Sequence, residues 1–452
     1  MKILIVSHES WRNTNNGGNV LSNIFCSFQD AELAQVYCSG EEPQNDLCQR
    51  YYQISESLLL TKEKGRVLPK RDYSSLSVQV PETIEGRINR RIPAPLKNTA
   101  LLAREIMWSV FNWKTTTLER FVTEFQPDLI FAPCYYYYHV SKVALYVKRI
   151  AGCPMISYIS DDNYSLKQIS FSLSFYMNRL ITRKWIRRMF AESALIYTMT
   201  ELQKREYESI FHRPMKVLCK HAEFAARSKP VGDPICFLYA GNLLLNRWRI
   251  LVSLADALSE INASGVRAQL HIFSSTVLSE RTMKKLNDGT NSIFHGLVSY
   301  QELEQLYRTA DVAVFVESFD LKNRLVTRLS FSTKIIDCLN SGCAVLAVGP
   351  ETHAGMTYLK EHDAAICVNS VQALRQAVQT IVDHPGMIDE YAEKAIRLGR
   401  KNHMKDDIEQ MLRKDFSEIA AGIFPAIPVL AGLSAEKRKE SERVERNAKP
   451  TL

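Results

Sequence analysis

The chain opens on a short apolar, β-branched run at residues 2–7, and a polar, glycine-bearing loop at 15–19 separates it from an amphipathic stretch at 20–28. Continuous apolar runs bounded by polar residues signal strands buried on both faces, whereas apolar positions three and four apart signal helices. The pattern therefore predicts a strand, a loop and a helix, then buried strands at 127–132 and 154–159 with a helical stretch at 141–150 between them. A long helical stretch at 175–192 and a strand at 194–198 follow. Alternation of this kind predicts a parallel sheet with helices on both faces.

The polar stretch Ser228-Lys229-Pro230-Val231-Gly232-Asp233-Pro234 reads as a linker. Beyond it, strands are expected at 235–240, 268–273, 292–295, 312–316, 344–347 and 365–368, with amphipathic stretches at 250–261 and 300–307 among them. Two doubly wound, Rossmann-like α/β halves are the economical architecture, covering residues 1–228 and 234–400. A helical stretch at 406–420 follows, and residues 425–452 form a tail whose charged end, with few apolar anchors, is expected to be disordered.

Composition narrows the function classes. Hydrophobic residues make up 46% and charged residues 23%, which is ordinary globular usage. No apolar run reaches the ~18 to 20 residues of a spanning helix, and the first run is too short for a signal peptide, so any membrane contact is expected to be peripheral. The ten cysteines include no C-x-x-C pair and no histidines at zinc-finger spacing, which predicts reduced thiols in a cytoplasmic protein without structural zinc. Net charge is +8, part of it in Arg179, Arg183, Lys184, Arg187 and Arg188, interleaved with Trp185 and aliphatics. That pattern suits either a membrane surface or a helix that covers the sheet and shows its charges to water; Arg87, Arg90 and Arg91 form a second, weaker cluster. The first strand is not followed by G-x-G-x-x-G, which argues against a dinucleotide oxidoreductase, and no nucleic-acid-binding module is recognisable.

The segment richest in chemistry is Phe331-Ser332-Thr333-Lys334-Ile335-Ile336-Asp337, ending at Gly342 before an apolar strand. Hydroxyl residues at a helix start leave backbone N–H groups for an anion, and Lys334 adds a point charge. A diphosphate fits that chemistry. Asp337, one turn further on, can accept hydrogen bonds from ribose hydroxyls.

This segment resembles the nucleotide-sugar site of GT-B-fold glycosyltransferases, particularly the large retaining group usually called family 4. Tyr239-Ala240-Gly241-Asn242 followed by Arg247-Trp248 resembles the first strand, loop and helix of that family's C-terminal domain. The resemblance implies that Gly241, Asn242, Ser332, Thr333 and Asp337 contact the donor, while Arg247 and Lys334 meet its diphosphate. In the N-terminal half it is looser, resting on Gly17-Gly18, which it places on the donor as well, and on Asp161-Asp162. One departure is plain: the family's two glutamates eight positions apart correspond to Leu329 and Asp337, and Arg328 or Glu317 would have to compensate.

The implied reaction is metal-independent transfer of a sugar from a nucleoside diphosphate sugar to a sugar or lipid-linked acceptor, with retention of configuration, in the assembly of a surface polysaccharide or glycolipid. Residues 1–228 would take the acceptor and 234–400 the donor, with a helix at 401–424 crossing back to the first half. His139, after the run Tyr135 to Tyr138, and Asp162 would lie on the acceptor side; an inverting enzyme would draw its base from Asp161, His139 or His8. Asp161-Asp162 also reads as a helix cap, and as a metal site it lacks a visible third ligand. A degenerate relative that binds without transferring, and a GT-B epimerase, share the same pattern.

Overall fold

A computed structural model describes residues 1–13, 16–69, 92–93, 96–224 and 229–425. Arg87, Arg90 and Arg91 and the tail from residue 426 onward lie outside the described residues.

Fourteen described strands form two sheets. The first contains β1 (Lys2–Ser7), β2 (Glu32–Tyr37), β3 (Arg50–Gln53), β4 (Arg66–Val67), β5 (Leu129–Pro133), β6 (Met155–Ile159), β7 (Leu195–Thr198) and β8 (Met215–Val217), in the order β4-β3-β2-β1-β5-β6-β7-β8. Only β4 runs antiparallel, against β3. The second contains β9 (Ile235–Ala240), β10 (Ala268–Phe273), β11 (Ser292–Gly296), β12 (Val312–Val316), β13 (Ala344–Val348) and β14 (Ile366–Val368), in the order β11-β10-β9-β12-β13-β14, all parallel. Strands such as β5 and β12 are buried along their whole length, because helices cover both faces of a parallel sheet.

Strand order reverses between β1 and β5 in the first sheet and between β9 and β12 in the second. Chains leaving the carboxyl ends of two such neighbouring strands diverge to opposite faces and leave a crevice, where ligands of open α/β sheets sit.

The loop expected at 15–19 is mostly helix: Asn16–Phe25 is helical. Gly18 packs against the chain at Arg12, where a Cβ would stand 1.9 Å from the Arg12 carbonyl oxygen. Gly18 therefore serves a close backbone approach, and the Gly17 N–H donates to the Glu9 carboxylate.

Three features tie the halves together. The helix Lys405–Ala420 lies back against the first sheet, where Phe416 packs on Phe25, Phe28 and Phe131, and Asp415 accepts from Tyr197 at 2.7 Å. Leu329 is fully buried within the hydrophobic cluster of the first half. Arg328 reaches the same way: its guanidinium donates to Asp162 at 2.9 Å and, as a two-pronged pair, to Glu206 at 2.6 and 2.7 Å.

Candidate active site

The crevice beside β9 is built from three loop ends. After β9 the chain passes Gly241 at φ +146° and Asn242, then enters the helix Arg247–Ile261. Arg247 donates from Nη1 to Asn242 Oδ1 at 3.0 Å and from Nη2 to both oxygens of Glu317, at 2.8 and 3.0 Å. Glu317 directly follows β12 and is 2% exposed. A buried carboxylate at this position holds the guanidinium in one orientation.

Lys334 enters from the third loop as the first residue of the helix Lys334–Asn340. Its ammonium lies 5.1 Å from the centre of the Tyr239 ring and donates to the Tyr239 hydroxyl at 3.3 Å. It also rests directly against Gly241, where a Cβ would fall 1.9 Å from Nζ. Glycine is thus required twice over, by the positive φ and by the lysine. Burial and the neighbouring Arg247 charge push the Lys334 ammonium down to about 8.

His353, after β13, completes the arrangement. Its Nδ1 accepts the Gly355 N–H at 3.1 Å, so the proton of the neutral ring sits on Nε2, 3.9 Å from Glu317 Oε1. Burial keeps this imidazole neutral by lowering its pKa. Both His353 Nε2 and Arg247 Nε are buried N–H donors without a hydrogen-bond partner among the described residues. Buried orphan donors beside two cations are what an anionic ligand would satisfy.

The remaining expected donor residues are arranged differently. Ser332 and Thr333 lie before Lys334, but neither hydroxyl caps the helix. The amides of Ile335 and Ile336 turn back onto the Ser332 and Thr333 carbonyls, at 2.9 and 3.1 Å. The expected cluster of free N–H groups is therefore a tight turn that satisfies two of its own donors. Asp337 pairs with Lys220 at 2.5 Å, across to the chain leaving the first sheet, and lines a cavity of about 810 Å³.

Across the cleft, Asp161 and Asp162 follow β6. Asp161 accepts the Ser330 hydroxyl at 2.6 Å, another tie between the halves. Asp162 is fully buried, and its oxygens take the Ser165 amide and hydroxyl, the Tyr207 hydroxyl and Arg328. Its carboxylate is committed to joining the halves, which corrects the expectation of a free acceptor group. Arg328 is likewise spent on that joint, leaving Glu317 as the acid nearest the Arg247 and Lys334 cations.

His139 lies after β5, at the first sheet's crevice, and is fully buried. It stacks on Trp108 at 4.2 Å and its Nδ1 meets Glu105 Oε1 at 2.7 Å. Burial raises the Glu105 carboxyl and, aided by Arg104, lowers the imidazole. His8 packs beside it, with ring centroids 5.5 Å apart.

The helix Leu173–Ala191 carries the basic cluster. Arg179 turns inward and donates to the Asp162 carbonyl at 3.2 Å, and Arg183 donates to the Tyr164 carbonyl at 3.0 Å. Trp185 is half-buried beneath Lys142 and Arg188. Lys184, Arg187 and Arg188 face solvent, in line with the exposed Leu173, Met177 and Leu180 of the preceding turns. Among the described residues no helix is long and apolar enough to cross a membrane.

No family model matches the chain, and no curated protein matches it. Solved structures do. Anabaena HepE in complex with UDP superposes with a TM-score of 0.59 at 13% identity, covering 92% of this chain and 100% of that one. A sucrose-phosphate synthase from Thermosynechococcus elongatus gives 0.59 at 12%, covering 93% and 99%. A trehalose-6-phosphate protein from E. coli, bound with UDP-2-fluoro glucose, gives 0.56 at 12%, covering 93% and 99%.

The chain has the GT-B fold. At such identities the likeness speaks for the architecture, and the chemistry rests on the residues. In this GT-B chain the Arg247, Lys334 and Glu317 cluster occupies the crevice of the second sheet, and the His139 and Glu105 pair that of the first. Sequence reasoning named Lys334 from its place at a helix start, and Gly241 and Arg247 through the family resemblance. It missed His353, a lone histidine after a strand with nothing local to mark it.

Proposed function

We propose that this chain is a glycosyltransferase that moves a sugar from a nucleoside diphosphate sugar to an acceptor hydroxyl. The observation that carries the reading is the pair of cations, Arg247 and Lys334, converging with two unpartnered buried N–H donors at the second sheet's crevice. In the reaction the bond from the sugar's anomeric carbon to the diphosphate breaks, and the departing diphosphate gains negative charge. Arg247 and Lys334 would stabilise that charge in place, the task a metal performs elsewhere, which supports metal-independent transfer.

The likeness of the motif between residues 241 and 350 to family 4 favours retention, in which the acceptor's proton passes to the departing phosphate oxygen. The neighbours bound to UDP and UDP-2-fluoro glucose make uridine the first base to try. Lys184, Arg187 and Arg188 beside exposed Leu173, Met177 and Leu180 favour a lipid-linked acceptor reached from the cytoplasmic membrane face, in polysaccharide or glycolipid assembly. Residues 1–228 take the acceptor and 234–400 the donor in this reading.

A specific observation favours a second reading, binding without transfer. Leu329 replaces the family's first acid and is buried in the core, so no acid stands there. Release of nucleoside diphosphate from a panel of nucleotide sugars, with membrane extract as acceptor source, separates the two. Turnover that Lys334→Ala abolishes supports transfer; tight nucleotide binding with no release from any sugar supports the second reading.

A further inference from the structure

Away from the crevice, three side chains from distant parts of the chain meet. Cys26 directly follows the helix Asn16–Phe25, His221 lies on the segment leaving the first sheet, and Glu409 lies on the helix Lys405–Ala420. Cys26 Sγ stands 3.5 Å from His221 Nε2 and 3.3 Å from Glu409 Oε1, and the last two atoms are 4.0 Å apart. Zinc ligands at about 2.3 Å for sulfur and about 2.0 Å for nitrogen and oxygen place the donor atoms of a tetrahedron about 3.3 to 3.6 Å from one another. Two of the three distances match, and the third exceeds the range by about half an ångström, a movement within reach of a glutamate side chain.

We propose that Cys26, His221 and Glu409 form a binding site for a zinc-class divalent cation that clips the first half, the connecting segment and the returning C-terminal helix together. Sulfur and imidazole donors select zinc-like ions over magnesium or calcium, and one thiolate with one carboxylate neutralises a dication. The backbone of His221 is already held, although its ring must turn off the Asn23 carbonyl for Nε2 to face the metal. Asn23 holds the His221 backbone from both sides, accepting its amide at 3.2 Å and donating to its carbonyl at 3.4 Å. These contacts fix where the His221 Cα sits beside Cys26. Cys26 and His221 line the cavity of about 810 Å³, which gives an ion access and leaves room for a water as fourth ligand.

Without metal the cluster is a hydrogen-bonded one: the thiol donates to Glu409, and His221 Nε2 donates to the Asn23 carbonyl at 2.8 Å. Burial and the adjacent Glu409 push the Cys26 thiol up to about 11. Metal entry therefore releases the thiol proton to solvent and shifts the imidazole proton from Nε2 to Nδ1. The site shares its cavity with Asp337, but none of its three ligands belongs to the Arg247, Lys334 and Glu317 cluster.

Cobalt(II) is the probe, added to the full chain after chelator treatment and removal of the chelator. The expected result is one equivalent bound at micromolar concentration with a thiolate-to-cobalt charge-transfer absorption, lost in Cys26→Ser and unchanged in Cys219→Ser. Glu409→Gln, which keeps size and hydrogen bonding, should retain the absorption but weaken binding at least about tenfold. Zinc should raise the melting temperature of the wild type more than that of Glu409→Gln. Absence of stoichiometric binding at roughly 100 µM cobalt, or an absorption that survives Cys26→Ser, overturns the site. If Cys26→Ser fails to fold by circular dichroism, the Glu409→Gln comparison decides: equal affinity in that variant overturns the site.

Discussion

Lys334 offers the sharpest quantitative test of the donor site, because its charge can be removed without mutation. Its ammonium is held down to about 8 by burial and by Arg247, against the ordinary lysine value of 10.5. With that value the group is about nine-tenths charged at pH 7 and about one-tenth charged at pH 9. If the charged form alone binds a diphosphate, affinity falls about tenfold over that span, about 1.4 kcal/mol. Binding at pH 9 must then take up close to one proton, since the bound diphosphate restores the ammonium. Isothermal titration of UDP at both pH values, in buffers of different ionisation enthalpy, reads both quantities, and Lys334→Met should show a weak, flat profile. Constant wild-type affinity to pH 9 without proton uptake would refute the placement of this lysine against the diphosphate. The stability linkage has a definite sign: the folded-state value lies below the unfolded one, so the contribution is full above about 10.5 and is lost as pH falls through about 8.

Gly241→Ala should abolish nucleotide binding in the same titration, since the new methyl would occupy the space of Lys334 Nζ and the φ of +146° disfavours any side chain. Arg328→Ala should cost roughly 3 kcal/mol in urea unfolding, because it leaves the buried Asp162 carboxylate without its cation. Co-sedimentation with anionic phosphatidylglycerol vesicles at low salt should fall about a hundredfold in affinity when Lys184, Arg187 and Arg188 are all changed to Gln, at ~1 kcal/mol per basic residue. Undiminished vesicle binding would detach the membrane from this helix.

Strands buried on both faces leave a continuous apolar run in the sequence, which is why β1, β9 and β12 were legible at their true bounds. By contrast, β3 reads Arg50-Tyr51-Tyr52-Gln53 and β8 spans only three residues, and neither has the length or the pattern to stand out from the flanking chain. The site divides along the same line. Lys334 could be read from its place at a helix start, and Gly241 and Arg247 from the resemblance of their strand, loop and helix to a known family, because each lies within one continuous local segment.

Pairing was not legible, because it depends on loops that fold together from far apart. Arg247 meets Glu317 across 70 residues, and Arg328 meets Asp162 across 166. Asp162 thereby changes from a plausible acceptor ligand into a joint. Cysteine and histidine spacing predicts no zinc site, yet Cys26 and His221, 195 residues apart, come to lie side by side because the connecting segment returns past the helix Asn16–Phe25.

The measurement that bears most directly on the central claim is titration of the purified full chain with UDP, GDP and ADP near neutral pH, wild type against Lys334→Ala. One of the three should bind one-to-one at micromolar concentration, weakened at least about tenfold in the variant, whose melting temperature should be no lower than the wild type's because a buried ammonium is removed. No binding of any nucleotide, or equal binding by the variant, would contradict the claim.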